Sequence, residues 1–335
     1  MNNEFLINSP LNNDRWEKNI KGYNIVDCSI WTNTKLVLIA KKDLPDEDYD
    51  VLKEGGIETR VITMTLDRND IRCGKVSLDG FRFPKLIIER KTEPVILTSS
   101  RQSDGCVFQM DTERNMDIEN ITPEGKPGPT TSCNTRKLKC IDGWAYAVGM
   151  GRRVFKRIEK NRWIPILEGL SWPEQMDYMD MGFQDIHGPN ENNMYAVGGC
   201  GDVWHYNGEK WEWCDLPSNE QLSCVLVAPD GVVYISGEGG NLWRGSMHTW
   251  EKIYTGDSSV LNKDLVWYNN QLWVSSDYQL RVWNGKELLR PTHNGEQIIA
   301  SGNMDVYENL LLIADLDTVK LFDGNEWHTI VSPYS

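Results

Sequence analysis

The sequence predicts an all-β protein, a seven-bladed β-propeller of four-stranded antiparallel blades, and three observations predict it. A unit recurs about every 39 residues: Met194-Tyr-Ala-Val-Gly198 then Trp204-His-Tyr-Asn-Gly-Glu-Lys-Trp211, and Val233-Tyr-Ile-Ser-Gly237 then Leu242-Trp-Arg-Gly245 and Trp250. Apolar runs centred on Tyr146, Tyr195, Tyr234, Trp273 and Leu312 lie 49, 39, 39 and 39 residues apart. These runs are short, β-branched and aromatic, and are bounded by Asp-Gly, Asn-Asn or Gly-Gly turns, which are strand signals rather than helix signals. Four short strands per ~40 residues, repeated radially, describe a propeller.

The elements follow in chain order. Residues 1–20 form an N-terminal tail or closing strand, because Asn13-Asp-Arg-Trp16-Glu-Lys-Asn-Ile20 resembles the fourth-strand sequence Thr249-Trp250-Glu-Lys-Ile253. A terminal strand donated to the last blade would hide an edge; packing outside blade seven or over one face is the alternative. Blade 1 spans 21–82, with strands at 23–30, 35–40, 60–66 and 71–78 and an insertion at 41–57. Blade 2 spans 83–126, with strands at 85–90, 95–98, 107–110 and 118–121. Blade 3 spans 127–170, an insertion and blade 4 span 171–217, and blades 5, 6 and 7 span 218–257, 258–296 and 297–335.

A hairpin of the form aromatic-Asn/Asp-Gly-x-x-Trp closes several units: Tyr206 to Trp211 and Phe322 to Trp327, with Trp283 to Leu288 placing Leu in the Trp slot. Trp163, Trp211, Trp250 and Trp327 thus share one position and read as blade-to-blade packing. Tyr195-Ala-Val-Gly-Gly199, Tyr206 and Trp211 follow the order of a kelch repeat, and the Asn-Gly-x-x-Trp turns resemble Asp-box turns without their leading Ser-x-Asp. The resemblance to kelch-like and Asp-box-like propellers covers about 200 residues. It implies the architecture and leaves the function open, since one fold hosts many.

The composition bounds the function. The 335 residues are 40% hydrophobic and 25% charged and include 14 Trp, as expected of a folded chain. With 49 acidic against 35 basic residues the net charge is −14, which excludes a general nucleic-acid or anionic-membrane binder and favours a basic partner. No leader-like segment or membrane-length apolar run occurs, so the expected compartment is the cytoplasm. The eight cysteines form no C-x-x-C pair and read as reduced thiols. The five histidines lack metal-ligand spacing, so neither a metal nor a cofactor is expected.

Two groups of residues carry candidate chemistry. Asp27, Asp185, Asp264 and Asp305 recur in innermost strands, which line a propeller's channel. They suit a cation site or acid–base work, or else hydrogen bonds to neighbouring blades. The insertions form the second group. The first, at 41–57, carries Asp43, Asp46, Glu47, Asp48 and Asp50; the second, at 171–185, carries Trp172, Glu174, Asp177, Tyr178 and Asp180. Their net charges of −3 and −4 make up half of the chain's −14. Both lie where loops leave the same face of a propeller, and the second mixes acids with aromatics and methionines, an adaptable set common at interfaces. Tyr278 joins them as an aromatic outside the repeat.

These features point to a non-catalytic protein-binding propeller, monomeric alone. Its composition resembles that of small acidic bacterial immunity proteins, which block a cognate toxin such as a basic nuclease. Two other readings stay open: a propeller enzyme acting on a glycan or small molecule at the channel mouth, and a scaffold subunit of a larger assembly.

Overall fold

The structure, a computed structural model, describes residues 9–44, 56–68, 70–81, 83–99, 105–121, 135–171, 182–256 and 260–333. A short helix, α1 (Asn13–Asn19), precedes the first blade. Blade 1 holds β1 (Tyr23–Thr32), β2 (Lys35–Lys42), β3 (Thr59–Asp67) and β4 (Asp70–Leu78). Blade 2 holds β5 (Lys85–Glu89), β6 (Val95–Ser99), β7 (Cys106–Met110) and β8 (Met116–Asn120). Blade 3 holds β9 (Thr135–Ile141), β10 (Trp144–Gly149), β11 (Arg153–Glu159) and β12 (Arg162–Pro165). Blade 4 holds β13 (Phe183–Asn190), β14 (Asn193–Gly198), β15 (Val203–Tyr206) and β16 (Trp211–Trp213). Blade 5 holds β17 (Leu222–Val227), β18 (Val233–Gly237), β19 (Leu242–Ser246) and β20 (Thr249–Tyr254). Blade 6 holds β21 (Asn262–Tyr268), β22 (Gln271–Ser276), β23 (Leu280–Trp283) and β24 (Leu288–Leu289). A hairpin, β25 (Thr292–His293) with β26 (Glu296–Gln297), leads to blade 7: β27 (Asn303–Tyr307), β28 (Leu310–Ala314), β29 (Val319–Phe322) and β30 (Trp327–Val331).

Within each blade the strands pair antiparallel in chain order. Asp142 and Gly143, with φ of 50° and 83°, make the left-handed two-residue turn that joins β9 to β10. The first strands of successive blades contact one another around the ring, and β27 meets β1. Seven apolar clusters fill the seven spaces between blades among the described residues. The tryptophans of the shared slot behave as expected. Trp163, Trp211, Trp250 and Trp327 each pack into the cluster shared with the preceding blade, and Leu288 does the same for blade 6.

Two elements differ from the sequence reading. The segment read as a tail or closing strand adds no strand to blade 7 among the described residues and contains helix α1. Asn12 caps it by accepting the Arg15 N–H at 3.0 Å, and Asp14 and Lys18 sit at its positive and negative ends. The resemblance to the Trp250 strand misled because blade 7 already has its own fourth strand. The tail closes the ring by packing instead: Leu11 and Ile20 are buried and Trp16 packs beside them, in the cluster joining blades 7 and 1. A single ladder-like bond, Leu11 N to Ile330 O at 2.8 Å, ties it to β30.

The second difference is in blade 6, whose outer strand β24 is only two residues long. Pro291 lacks the N–H needed to continue the ladder. Asn294 and Gly295, both at positive φ, then turn the chain into the β25–β26 hairpin. His293 of that hairpin meets the Phe322 ring of blade 7 edge-on at 5.5 Å.

Candidate interaction face and central channel

In four-stranded antiparallel blades, second-to-third-strand loops and blade-to-blade connections leave on one face. Asp43, an exposed residue just past β2, lies on it and accepts a hydrogen bond from Asn24 Nδ2 at 3.0 Å. Asp46, Glu47, Asp48 and Asp50 lie outside the described residues, as do Trp172, Glu174, Asp177, Tyr178 and Asp180. The ends of the second insertion are nevertheless fixed. Arg152 donates to the Ser171 carbonyl, holds Asp202 with two bonds of 2.7 and 2.8 Å, and lies over the Trp204 ring. At the other end Gly182 bridges to Met150, so close that an added Cβ would sit 2.7 Å from the Met150 Cα. One loop, 149–152, therefore clamps both departure points.

Tyr278 stands on the same face, in the turn between β22 and β23, and is 78% exposed. The Ser276 hydroxyl holds this turn by accepting the N–H groups of Tyr278 and Gln279. Beside Tyr278 is Ile299, 80% exposed, which the sequence reading missed. A cleft of about 360 Å³ opens beside it against blade 7. Tyr278 and Ile299 stand at this cleft, with Ile313, Asp315, Lys320 and Thr329 behind them. Lys320 is held to one side, donating to the Ile299 carbonyl at 2.7 Å, and burial pulls its ammonium below its ordinary value. Next to the cleft, Leu316 is exposed, and Asp277 and Asp317 are solvent-facing carboxylates. The result is an apolar strip flanked by acids.

The channel carboxylates have a different geometry. Asp27, Asp264 and Asp305 line a central cavity of about 290 Å³, and Asp185 lies apart between blades 4 and 5. Just before Asp27, Asp185 and Asp264 the first-strand ladder slips by one residue. Such a bulge re-aims a side chain and leaves a backbone group unpaired. One oxygen of Asp27 and of Asp185 accepts the following N–H, of Cys28 and Ile186, at 2.9 Å. The other oxygen crosses to the next blade, to Leu86 N at 2.9 Å and Val225 N at 3.0 Å. Asp264 reaches Met304 N at 3.0 Å, and Asp305 reaches Ile30 N at 2.7 Å.

Burial raises the Asp27 and Asp305 carboxyls above their usual range. Asp264 is held below it, because Lys137, at 2.6 Å across the channel, outweighs the same burial. Each of these carboxylates is engaged in a bond to the next blade's backbone. Among the described residues no group of three or more His, Cys, Asp or Glu is placed to hold a metal ion. The histidines also serve the blades. His187 Nδ1 accepts Val227 N at 3.1 Å, and burial brings its pKa down to about 3. His205 packs on Tyr195 at 4.6 Å, and His328 pairs with Asp323 at 2.9 Å.

No disulfide joins two of the described cysteines, and no helix among the described residues is long and apolar enough to cross a membrane. No family model matches the chain. Among solved structures, the WD40 β-propeller domain of Doa1 is similar with a TM-score of 0.60 at 13% identity, covering 93% of each chain. YCF48, solved bound to a D1 peptide, is similar with a TM-score of 0.54 at 13% identity over 95% of each chain. Likeness at such identity bears on the fold alone. A curated protein, the immune protein Tsi7 of Pseudomonas aeruginosa, is 30% identical over 244 residues, which are 73% of this chain and 78% of that protein. The chain belongs to the family of the immune protein Tsi7.

Proposed function

We propose that this propeller is a non-catalytic immunity protein that binds and neutralises a cognate toxin in the cytoplasm, and that the toxin is a basic protein such as a nuclease. The observation that carries the docking site is the pair Tyr278 and Ile299, the two most exposed large apolar residues among those described, standing together at an open cleft. Large apolar groups at a desolvated pocket supply most of the energy of an interface, and surrounding charge supplies steering. Asp43 and Asp317 are exposed acids of that face, where Asp277 is paired with Lys263. The insertion residues Asp46, Glu47, Asp48, Asp50, Trp172, Glu174, Asp177, Tyr178 and Asp180 extend the same contact in this reading.

The test uses the toxin that co-purifies with the chain from its native host. Tyr278→Ala combined with Ile299→Ser is expected to weaken binding by at least about tenfold, the loss of a central anchor, and to abolish protection of cells expressing the toxin. Charge reversal at Asp46, Asp48, Asp177 and Asp180 forms a second arm. Unchanged affinity in both sets of variants, with the fold intact by circular dichroism, would place the toxin on another surface and overturn the docking site.

A further inference from the structure

The cavity at the centre of the ring has a mismatch between donors and acceptors. Its carboxylates are occupied: Asp27 and Asp305 accept backbone N–H groups on both oxygens, and Asp264 accepts Met304 N and the Lys137 ammonium. The cations are not. Lys137 and Lys139 project from alternate positions of β9 and both line the cavity. Lys137 has one acceptor, Asp264, for three N–H donors. Lys139 has no hydrogen bond or ion pair among the described residues, and neither has Lys85 on the adjoining strand β5. Arg90 is already used, donating to the Ile30 and Trp31 carbonyls over the Tyr307 ring.

Lys85, Lys137 and Lys139 are half-buried, and ammonium groups gathered in a confined space favour a charged acceptor. The local balance also opposes that of the chain. A molecule with net charge −14 matches the three carboxylates of this cavity with Arg90, Lys137 and Lys139, and Lys85 stands beside them within electrostatic reach of Asp27 and Lys137. Burial lowers the Lys85 ammonium and Asp27 lifts it in part, while neighbouring Lys137 lowers it further. Burial likewise raises Asp27 and Asp305. What is lacking at this position is an acceptor with several oxygens.

We propose that the central channel is a binding site for a small polyoxygen anion, of phosphate or short-carboxylate chemistry, held by Lys85, Lys137 and Lys139. The Lys137–Asp264 bridge spans blades 3 and 6, and Asp305 joins blade 7 to blade 1. An anion here joins the inner strands of several blades at once and stabilises the closed ring by mass action. This site is independent of the immunity reading and of the loop face.

Thermal unfolding of the full chain tests it, with inorganic phosphate and malonate as probes against sodium chloride at matched ionic strength. The melting temperature is expected to climb with probe concentration, to lose that response in Lys139→Met and to lose at least half of it in Lys85→Met. Lys286→Met, at an exposed position outside the channel, is expected to keep the full response. Which probe acts identifies the oxyanion. Acylation of lysines in the wild-type protein, read by mass spectrometry, covers the case of a variant that fails to fold: the active probe is expected to protect Lys85 and Lys139 and to leave Lys286 labelled. No probe-specific rise in melting temperature, an undiminished rise in both channel variants, or equal labelling of Lys85 and Lys139 with and without probe overturns the proposal.

Discussion

Arg157 shows what single residues contribute to this ring. It joins two carboxylates from blade 2, donating to Glu89 and making bonds of 2.7 and 3.0 Å to Glu119, while Trp163 Nε1 donates to Glu119 as well. All three charged groups are nearly inaccessible to water. Removing the cation leaves two buried carboxylates facing each other, so Arg157→Met is expected to cost about 3–5 kcal/mol in denaturant unfolding. Arg162→Met, which breaks only an exposed pair with Glu159, should leave the unfolding curve unmoved. His187 gives a pH prediction of definite sign. Its pKa falls from 6.5 to about 3 on folding, so below pH 6.5 the unfolded chain takes up a proton that the fold refuses. The stability linked to His187 is therefore complete above pH 6.5 and falls as the pH drops toward 3. The loss by pH 5 is about 2 kcal/mol. His187→Gln keeps an acceptor for Val227 N and removes the titration, so unfolding measured at pH 7 and pH 5 should differ by less in the variant. At this scale the sequence showed which residues recur without showing where they point. The period located Asp27, Asp185 and Asp264, but the bulge that aims each across a blade boundary has no residue signature; it precedes Asp with Val26, Gln184 or Lys263.

Among the elements, legibility tracked the repeat. Strands that pack on both faces, such as β2, β14 and β28, are continuous apolar runs and could be read directly. α1 was misread because Trp-Glu-Lys occurs in both contexts, and seven residues are too few for period alone to separate helix from strand. The exposure of Ile299 at a cleft against blade 7 is a tertiary fact that no local residue pattern announces. α1 itself carries a prediction. Ile20 is 1% exposed in the cluster between blades 7 and 1, and Ile20→Ala is expected to cost about 2–4 kcal/mol. Deletion of residues 1–21 also removes Leu11, Trp16 and the Arg15 contacts to Asp70 and the Ile71 carbonyl. It should lower the unfolding midpoint further than Ile20→Ala does, a comparison that urea titration makes directly.

For the whole molecule, charge and topology matter together. A net charge of −14 acting on a basic partner raises the association rate at low salt and little else. If the proposed docking face is used, toxin association measured by stopped flow should slow by about tenfold or more between 50 and 500 mM salt as the Debye length shrinks, while dissociation, assigned in the proposal to the Tyr278 and Ile299 anchors, should change far less. Association rates independent of salt would leave the acidic face without a steering role. The way the ring is joined also bears on how the chain reaches its final shape. Six of the seven spaces between blades lie between neighbours in sequence, and each can fill as soon as the next blade emerges. The seventh unites residues about 275 apart, through Ser29 with Asp305, Ile30 with Asp305 and Asn33 with Glu308, and no strand is exchanged across it among the described residues. Until Val331 has been synthesised, Ile25, Ile30, Leu36 and Leu38 have no blade 7 to meet. A nascent chain thus grows as an open arc with one apolar flank unpaired, and circle formation is a single late event whose loop-closure entropy falls on one joint.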